Sequence, residues 1–187
     1  MVRLAGPLAV LVNGLPGAGK STLAGALSRQ LGLPLLSKDS IKETLADVLG
    51  AEPPDRPQRR WNAALGAAAS ETMWTLLAQA PAGAVLESCW TADFRDFATR
   101  GLDRAGNPRT VEVWCEVTPE TARRRFEDRH PRHPVHGELP TDDEWDRWRR
   151  MSGPLRLGPT LHVDTTGPVD VQAVIAWIRE HGGLSAR

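Results

Sequence analysis

Apolar residues fall along this chain in short runs separated by stretches of helical period. Pro7 to Asn13 (PLAVLVN) is an almost unbroken apolar run, the pattern of a strand buried on both faces of a parallel sheet, and it places a strand at Leu8–Val12. Leu23, Ala26, Leu27 and Leu31 then recur at helical spacing up to Gly32, which predicts a helix over Thr22–Leu31. The alternation continues. Strands are expected at Leu33–Ser37, Ala84–Glu87, Thr110–Val117 and Thr160–Asp164. Helices are expected from Asp39 or Ser40 as cap to Gly50, over Gln58–Ala80, over about Asp93–Ala105, after the Thr118-Pro119 cap, after the Thr141 cap, and over Val169–His181. The prolines of Ala51–Pro57 and the His130–Pro140 stretch read as loops. Strands alternating with helices specify an α/β fold with a mainly parallel five-stranded sheet, whose ligand site lies at the carboxyl ends of the strands.

The turn after the first strand carries the chemistry. Val10 to Thr22 reads VLVNGLPGAGKST and contains G-x-x-x-x-G-K-[ST], a phosphate-cradling loop in the strand-to-helix context that this motif requires. Gly14, Gly17, Ala18 and Gly19 keep the backbone amides open to an anion, because bulky side chains are absent there. Lys20 adds a point positive charge, Ser21 a hydroxyl suited to Mg²⁺, and Thr22 opens a helix whose positive end faces the phosphates. The pattern predicts a nucleoside triphosphate and Mg²⁺ as bound groups.

Composition narrows the picture further. The chain has 187 residues, 41% of them hydrophobic, enough for one domain with a full core, expected to span 1–187. Lys+Arg and Asp+Glu both total 23, so the zero net charge disfavours broad attraction to nucleic acid or membrane. The only lysines are Lys20, Lys38 and Lys42, all on or just after the loop. Cys89 and Cys115 lack metal spacing and are expected to be reduced and buried. No signal peptide or membrane span is recognisable, so a cytoplasmic protein is expected.

Parallel strands bring residues distant in sequence to one sheet edge. Asp39 follows the second strand, where a carboxylate can accept the proton of an attacking hydroxyl. Glu87 ends the third strand, placed to hold Mg²⁺ with Ser21 or to touch the acceptor. Trp90 is a candidate for stacking on that acceptor and Arg95, in the following helix, for steering it. Arg125 and Arg129, at i and i+4, share a helix face at the head of a segment suited to a lid, about 119–151, that brings arginine to the transferring phosphoryl group. His130, His133 and His136 invite a zinc reading but lack regular ligand spacing. Asp164 to Gly167, with Thr165, is placed to contact adenine through its backbone, or simply to turn into the last helix.

With these residues in place, the chain resembles the small phosphate-loop kinases that phosphorylate hydroxyl groups, such as chloramphenicol phosphotransferase, gluconate kinase and the kinase domain of polynucleotide kinase. The resemblance rests on GLPGAGKST, on Ser37-Lys38-Asp39 and on TARRRFEDRHPRH, with ESCWTADFRD close to gluconate kinase in the spacing of Ser88, Arg95 and Asp96. Glu87 departs from gluconate kinase. Asp-x-Asp after the second strand, as in shikimate kinase, is absent, as are the adenylate kinase and GTPase signatures. The resemblance implies a three-layer P-loop NTPase fold with a helical lid, Asp39 as catalytic base, and Arg125 and Arg129 as ATP-binding lid arginines. The expected activity is ATP-dependent transfer of the γ-phosphoryl group to a hydroxyl of a small molecule: an antibiotic, sugar or polyol. The alternatives are a 5′-hydroxyl nucleic-acid or nucleoside kinase, and an ATP-dependent switch without transfer. The alanine-rich helix leaves both monomer and homodimer open.

Overall fold

The computed structural model describes residues 6–50, 57–129, 133–137 and 139–183. In chain order the elements are β1 (Leu8–Gly14), α1 (Lys20–Leu31), β2 (Leu35–Ser37), α2 (Lys38–Leu49), α3 (Gln58–Gln79), β3 (Gly83–Glu87), α4 (Arg95–Arg104), β4 (Arg109–Glu116), α5 (Pro119–Glu127), α6 (Asp142–Met151), β5 (Thr160–Asp164) and α7 (Val171–His181). The strands form one sheet in the order β2-β3-β1-β4-β5, and every neighbouring pair is parallel. The expected α/β architecture is therefore present, with all strand C-termini along one edge.

The central strand explains why the first apolar run is continuous. All of β1 is buried, because helices cover both faces of the sheet. Leu8, Val10 and Val12 pack with Leu23 and Leu27 of α1 and with Val174, Ile175 and Ile178 of α7. Ala9 and Leu11 point the other way, to Met73, Trp74 and Leu77 of α3 and to Ala98 and Leu102 of α4. On this second face, Trp74 stacks on Trp90 with ring centroids 6.2 Å apart and meets the edge of Phe97.

Several boundaries differ from expectation, each for a local reason. Helix α2 starts at Lys38 with Ser37 as its cap residue, not Asp39 or Ser40, and Asp39 lies in its first turn. Ser37 makes no side-chain capping bond, because its hydroxyl donates to Glu87. The helix expected from Asp93 begins instead as a tight turn over Ala92–Phe94, so Arg95 opens α4 rather than lying within it. Strand β2 is shorter than expected, starting at Leu35. Helix α7 starts at Val171, where Asp170 caps the Gln172 and Ala173 amides. Long helix α3 buries Leu65, Ala69, Met73, Trp74 and Leu77, while Leu76 stays exposed, so burial is confined to one face. Residues 51–56 of the expected proline-rich loop lie outside the described residues. Among the described residues, no helix is long and apolar enough to cross a membrane.

Close packing of α4 on α3 makes Gly101 a sensitive position. A Cβ there would come within 2.3 Å of the Trp74 ring, which is held by Trp90 and Phe97 and has no room to retreat. Alanine in a helix gains about 0.8–1 kcal/mol over glycine, whereas overpacking costs about 1–3 kcal/mol. With the Cβ this close to the ring, the cost falls toward the upper end, and Gly101→Ala is expected to be net destabilising by up to about 2 kcal/mol, read as a lower urea midpoint.

Both cysteines are free, with Cys115 in the core and Cys89 half-buried. Burial pushes the Cys115 thiol up to about 12 and also raises the Cys89 thiol. At pH 8 the Cys115 thiolate is therefore about a thousandfold scarcer than that of an ordinary thiol at 9.0. The folded protein is expected to leave Cys115 unlabelled by Ellman's reagent at pH 8, and urea to release both thiols for rapid reaction.

Candidate active site

The loop between β1 and α1 is shaped by backbone contacts that side chains would prevent. Gly17 has φ 87°, and a Cβ on it would lie 1.9 Å from the Ala122 carbonyl oxygen of α5. Gly14 has φ 149°, and a Cβ there would lie 2.7 Å from the Cys115 carbonyl oxygen of β4. The loop is thus pressed directly onto the backbone of its neighbours, which only glycine permits. Ala18 is fully buried, and its carbonyl accepts the Thr165 hydroxyl at 2.8 Å. That hydroxyl also reaches the Glu116 carbonyl at 3.0 Å.

Pro16, Gly17, Gly19, Lys20 and Ser21, from the loop and the start of α1, meet Asp39 of α2 and Glu87 at the end of β3 in one cavity of about 250 Å³. Lys20 is buried and its ammonium donates to the Leu15 carbonyl at 2.9 Å. Glu87 is 3% exposed and accepts two hydroxyls, Ser21 at 3.2 Å and Ser37 at 2.7 Å. A hydroxyl and a carboxylate this close are oxygen donors of the kind a hard divalent cation takes, so these residues fit Mg²⁺. Arg129, Lys42 and His136 line the same cavity, with Cys89 and the rings of Phe126 and Trp148. Burial, then Lys38, lowers the Lys42 ammonium from its usual range, against the opposing pull of Asp39 and Glu43.

A second cavity of about 530 Å³ lies on the other side of the loop. Leu23, Ala26, Pro168, Val169 and Val171 give it apolar walls, and Arg125, Arg129 and Thr165 border it. Arg125 donates to the Thr165 and Thr166 carbonyls at 2.9 and 2.7 Å. Thr22 also lies here. The Asp164 carboxylate accepts from Thr166, which holds it below the usual carboxylate range. The stretch after β5 is therefore both a capped turn and one wall of this cavity.

Two expected site residues are not brought together with the rest. Trp90 is 3% exposed and stacked on Trp74, so it is a core residue with no face left for an acceptor. Arg95 is exposed, its guanidinium donates to the Arg156 carbonyl at 3.0 Å, and it does not line the loop cavity. Arg125 and Arg129 do share a face, with Arg129 Nε donating to the Arg125 carbonyl at 2.8 Å. Only Arg129 of the two lines the cavity that holds Asp39.

The described part of the histidine-rich stretch, residues 133–137, is joined to α2. His133 pairs with Asp47 at 2.9 Å and His136 with Glu43 at 2.6 Å, both on α2, while Lys42 donates to the Val135 carbonyl at 3.1 Å. His130 lies outside the described residues, and no cluster of three or more metal-ligating side chains occurs among those described.

Sequence reasoning missed Asn13 and Glu112. Both are 0% exposed, and the Asn13 amide donates to Glu112 at 3.1 Å. The signal was an acid inside the apolar strand VEVWCEV, since a charge buried in a parallel sheet must be paired.

Comparison with known proteins agrees with this geometry. A family described as an AAA domain matches residues 10–155. The crystal structure of a candidate kinase from Chloroflexus aurantiacus is 30% identical and superposes with a TM-score of 0.79, covering 94% of this chain and 98% of that one. A gluconokinase from Sinorhizobium meliloti is 19% identical with a TM-score of 0.53, over 95% of this chain and 91% of that one, a likeness of fold. A curated nucleotide-binding protein of Mycobacterium tuberculosis is 29% identical over 157 residues. These are 84% of this chain, which spans only 45% of that relative's length. The phosphate loop at the head of an all-parallel sheet, and the match over most of the chain, show that it belongs to this AAA-domain family, with a P-loop kinase-like nucleotide-binding fold.

Proposed function

We propose that this protein is an ATP-dependent kinase that transfers the γ-phosphoryl group to a hydroxyl of a small molecule. The observation that carries the reading is the single cavity lined by Lys20, Ser21, Asp39, Glu87 and Arg129. A fold that only bound nucleotide would need no carboxylate facing the loop from α2. The kinases among the similar structures support the same reaction class.

In this reading the 530 Å³ cavity takes the base and ribose, with Arg125 and the Thr165–Val171 turn as walls. The loop amides and Lys20 hold the phosphates. Ser21 and Glu87 would hold Mg²⁺, which would supply positive charge to offset that of the phosphates. Asp39 accepts the proton of the acceptor hydroxyl as its oxygen bonds the γ-phosphorus and the bridging bond to the β-phosphate breaks. Arg129 faces the transferring group, and Arg125 serves nucleotide binding rather than the transition state, because its guanidinium is committed to the Thr165 and Thr166 carbonyls. Acceptor recognition falls to Asp39, Lys42, Glu87 and His136, with Trp90 and Arg95 removed from that role. Losing Trp90 as a stacking platform, on a chain of zero net charge, also weakens the nucleic-acid reading.

The test is a screen of sugars, polyols, antibiotics, nucleosides and a short 5′-hydroxyl oligonucleotide for transfer of labelled phosphate from ATP. On the acceptor so found, Asp39→Asn is expected to lower kcat about 10²–10⁴-fold while the Kd for Mg·ATP stays within about threefold. Undiminished transfer by Asp39→Asn would overturn the assignment of the base.

A further inference from the structure

Glu112 lies at the middle of β4, wholly buried, and takes no part in the chemistry proposed above. Both of its oxygens are used. Oε1 accepts the Asn13 carboxamide at 3.1 Å and the Leu155 amide at 2.8 Å, and Oε2 accepts the Arg156 amide at 2.8 Å. Because Asn13 must turn its NH₂ to this carboxylate, its carbonyl oxygen faces the other way. There it accepts the amide of Gly14, the first residue of the phosphate loop, at 2.8 Å, and the amide of Trp90, after β3, at 3.0 Å. Two side chains on neighbouring strands thus gather backbone from three separate segments.

The segment held at Leu155–Arg156 is the chain's return from α6, whose Trp148 lines the cavity containing Asp39. Arg156 has φ 55°, a left-handed conformation unusual for a side chain of this size. Its amide is pinned by Glu112, and its carbonyl by Arg95 at 3.0 Å. Just upstream, Ser152 pairs with Thr91 in an antiparallel bridge. A backbone conformation of this kind persists where surrounding contacts impose it.

We infer that Glu112 is a positioning residue that ties the start of the phosphate loop, through Asn13, to the C-terminal root of the α5–α6 segment. The inference rests on the nucleotide-binding reading of the loop for its effect on ATP. Its structural half stands on the tie itself. A carboxylate suits the position because all three groups around it are donors, and an acid is the side chain that accepts on every side.

Moving the carboxylate from one side chain to the other tests this. Asn13→Asp sets two buried carboxylates against each other and is expected to raise the Kd for Mg·ATP at least tenfold. It is also expected to speed tryptic cleavage after Arg156, followed by mass spectrometry, at least tenfold. Adding Glu112→Gln restores a donor between the two side chains. The new carboxamide on β4 donates to the new carboxylate on β1, whose second oxygen still accepts the Gly14 and Trp90 amides. The carboxamide oxygen keeps the Arg156 amide, while the Leu155 amide loses its acceptor. The double variant is therefore expected to recover the Kd to within about threefold of the original protein, and to slow cleavage at least threefold relative to Asn13→Asp alone. Both are measured below the melting temperature of each variant, and cleavage after Arg156 is taken relative to cleavage after Arg29 in α1, because global opening speeds both sites and release of the tie speeds only the first. Asn13→Asp with unchanged Kd and unchanged cleavage, or a double variant no better than the single, would overturn the inference. If the original protein binds no Mg·ATP, the kinase reading fails, and the Arg156 cleavage series decides the tie by itself.

Discussion

An unpaired carboxylate cannot be buried in a protein interior without a cost of several kcal/mol, and this sheet buries two beside its phosphate loop. Glu87 and Glu112 are 3% and 0% exposed. Each is therefore surrounded by donors, and the donors come from the segments that make the site. Glu87 takes the hydroxyls of Ser21 from the loop and Ser37 from the end of β2. Glu112 takes Asn13 and the two amides at the return from α6. Satisfying these two acids goes far toward arranging the strand ends around the loop.

Close backbone packing completes the arrangement. Gly14 and Gly17 let the loop touch β4 and α5, and Thr165 clamps Ala18 to the end of β4. The loop is consequently a rigid cradle between two cavities, one with apolar walls and the other lined by Asp39, Glu87 and cationic side chains. That asymmetry matches what a nucleotide and a phosphate acceptor each require: an apolar slot for a base, and a polar pocket where a proton can leave a hydroxyl.

Three polar contacts join residues 133–137 to α2 and so place the stretch following α5 over the side of the cavity that bears Asp39. His133 and His136, which looked like metal ligands in the linear sequence, are each paired with a carboxylate of α2. Each carboxylate sits on a helix whose approach no local pattern announces.

Much of the fold was legible in the sequence because it rests on local rules. Apolar runs, helical spacing, capping residues and the glycine-rich motif depend on near neighbours, so the strand-helix alternation and the GLPGAGKST loop could be placed without coordinates. Strand-end topology even put Asp39 and Glu87 beside the loop. What only the tertiary structure decided were matters of side-chain direction and long-range pairing. Trp90 turned into the core because Trp74, sixteen residues earlier in sequence, offers it a ring to stack on. Arg95 turned to the Arg156 carbonyl, and Arg125 to the turn after β5, because the folded chain presents backbone acceptors there. Asn13 and Glu112 were visible as letters, but their partnership spans 99 positions, and hydrogen bonds between residues that far apart are set by the sheet's register rather than by any local pattern.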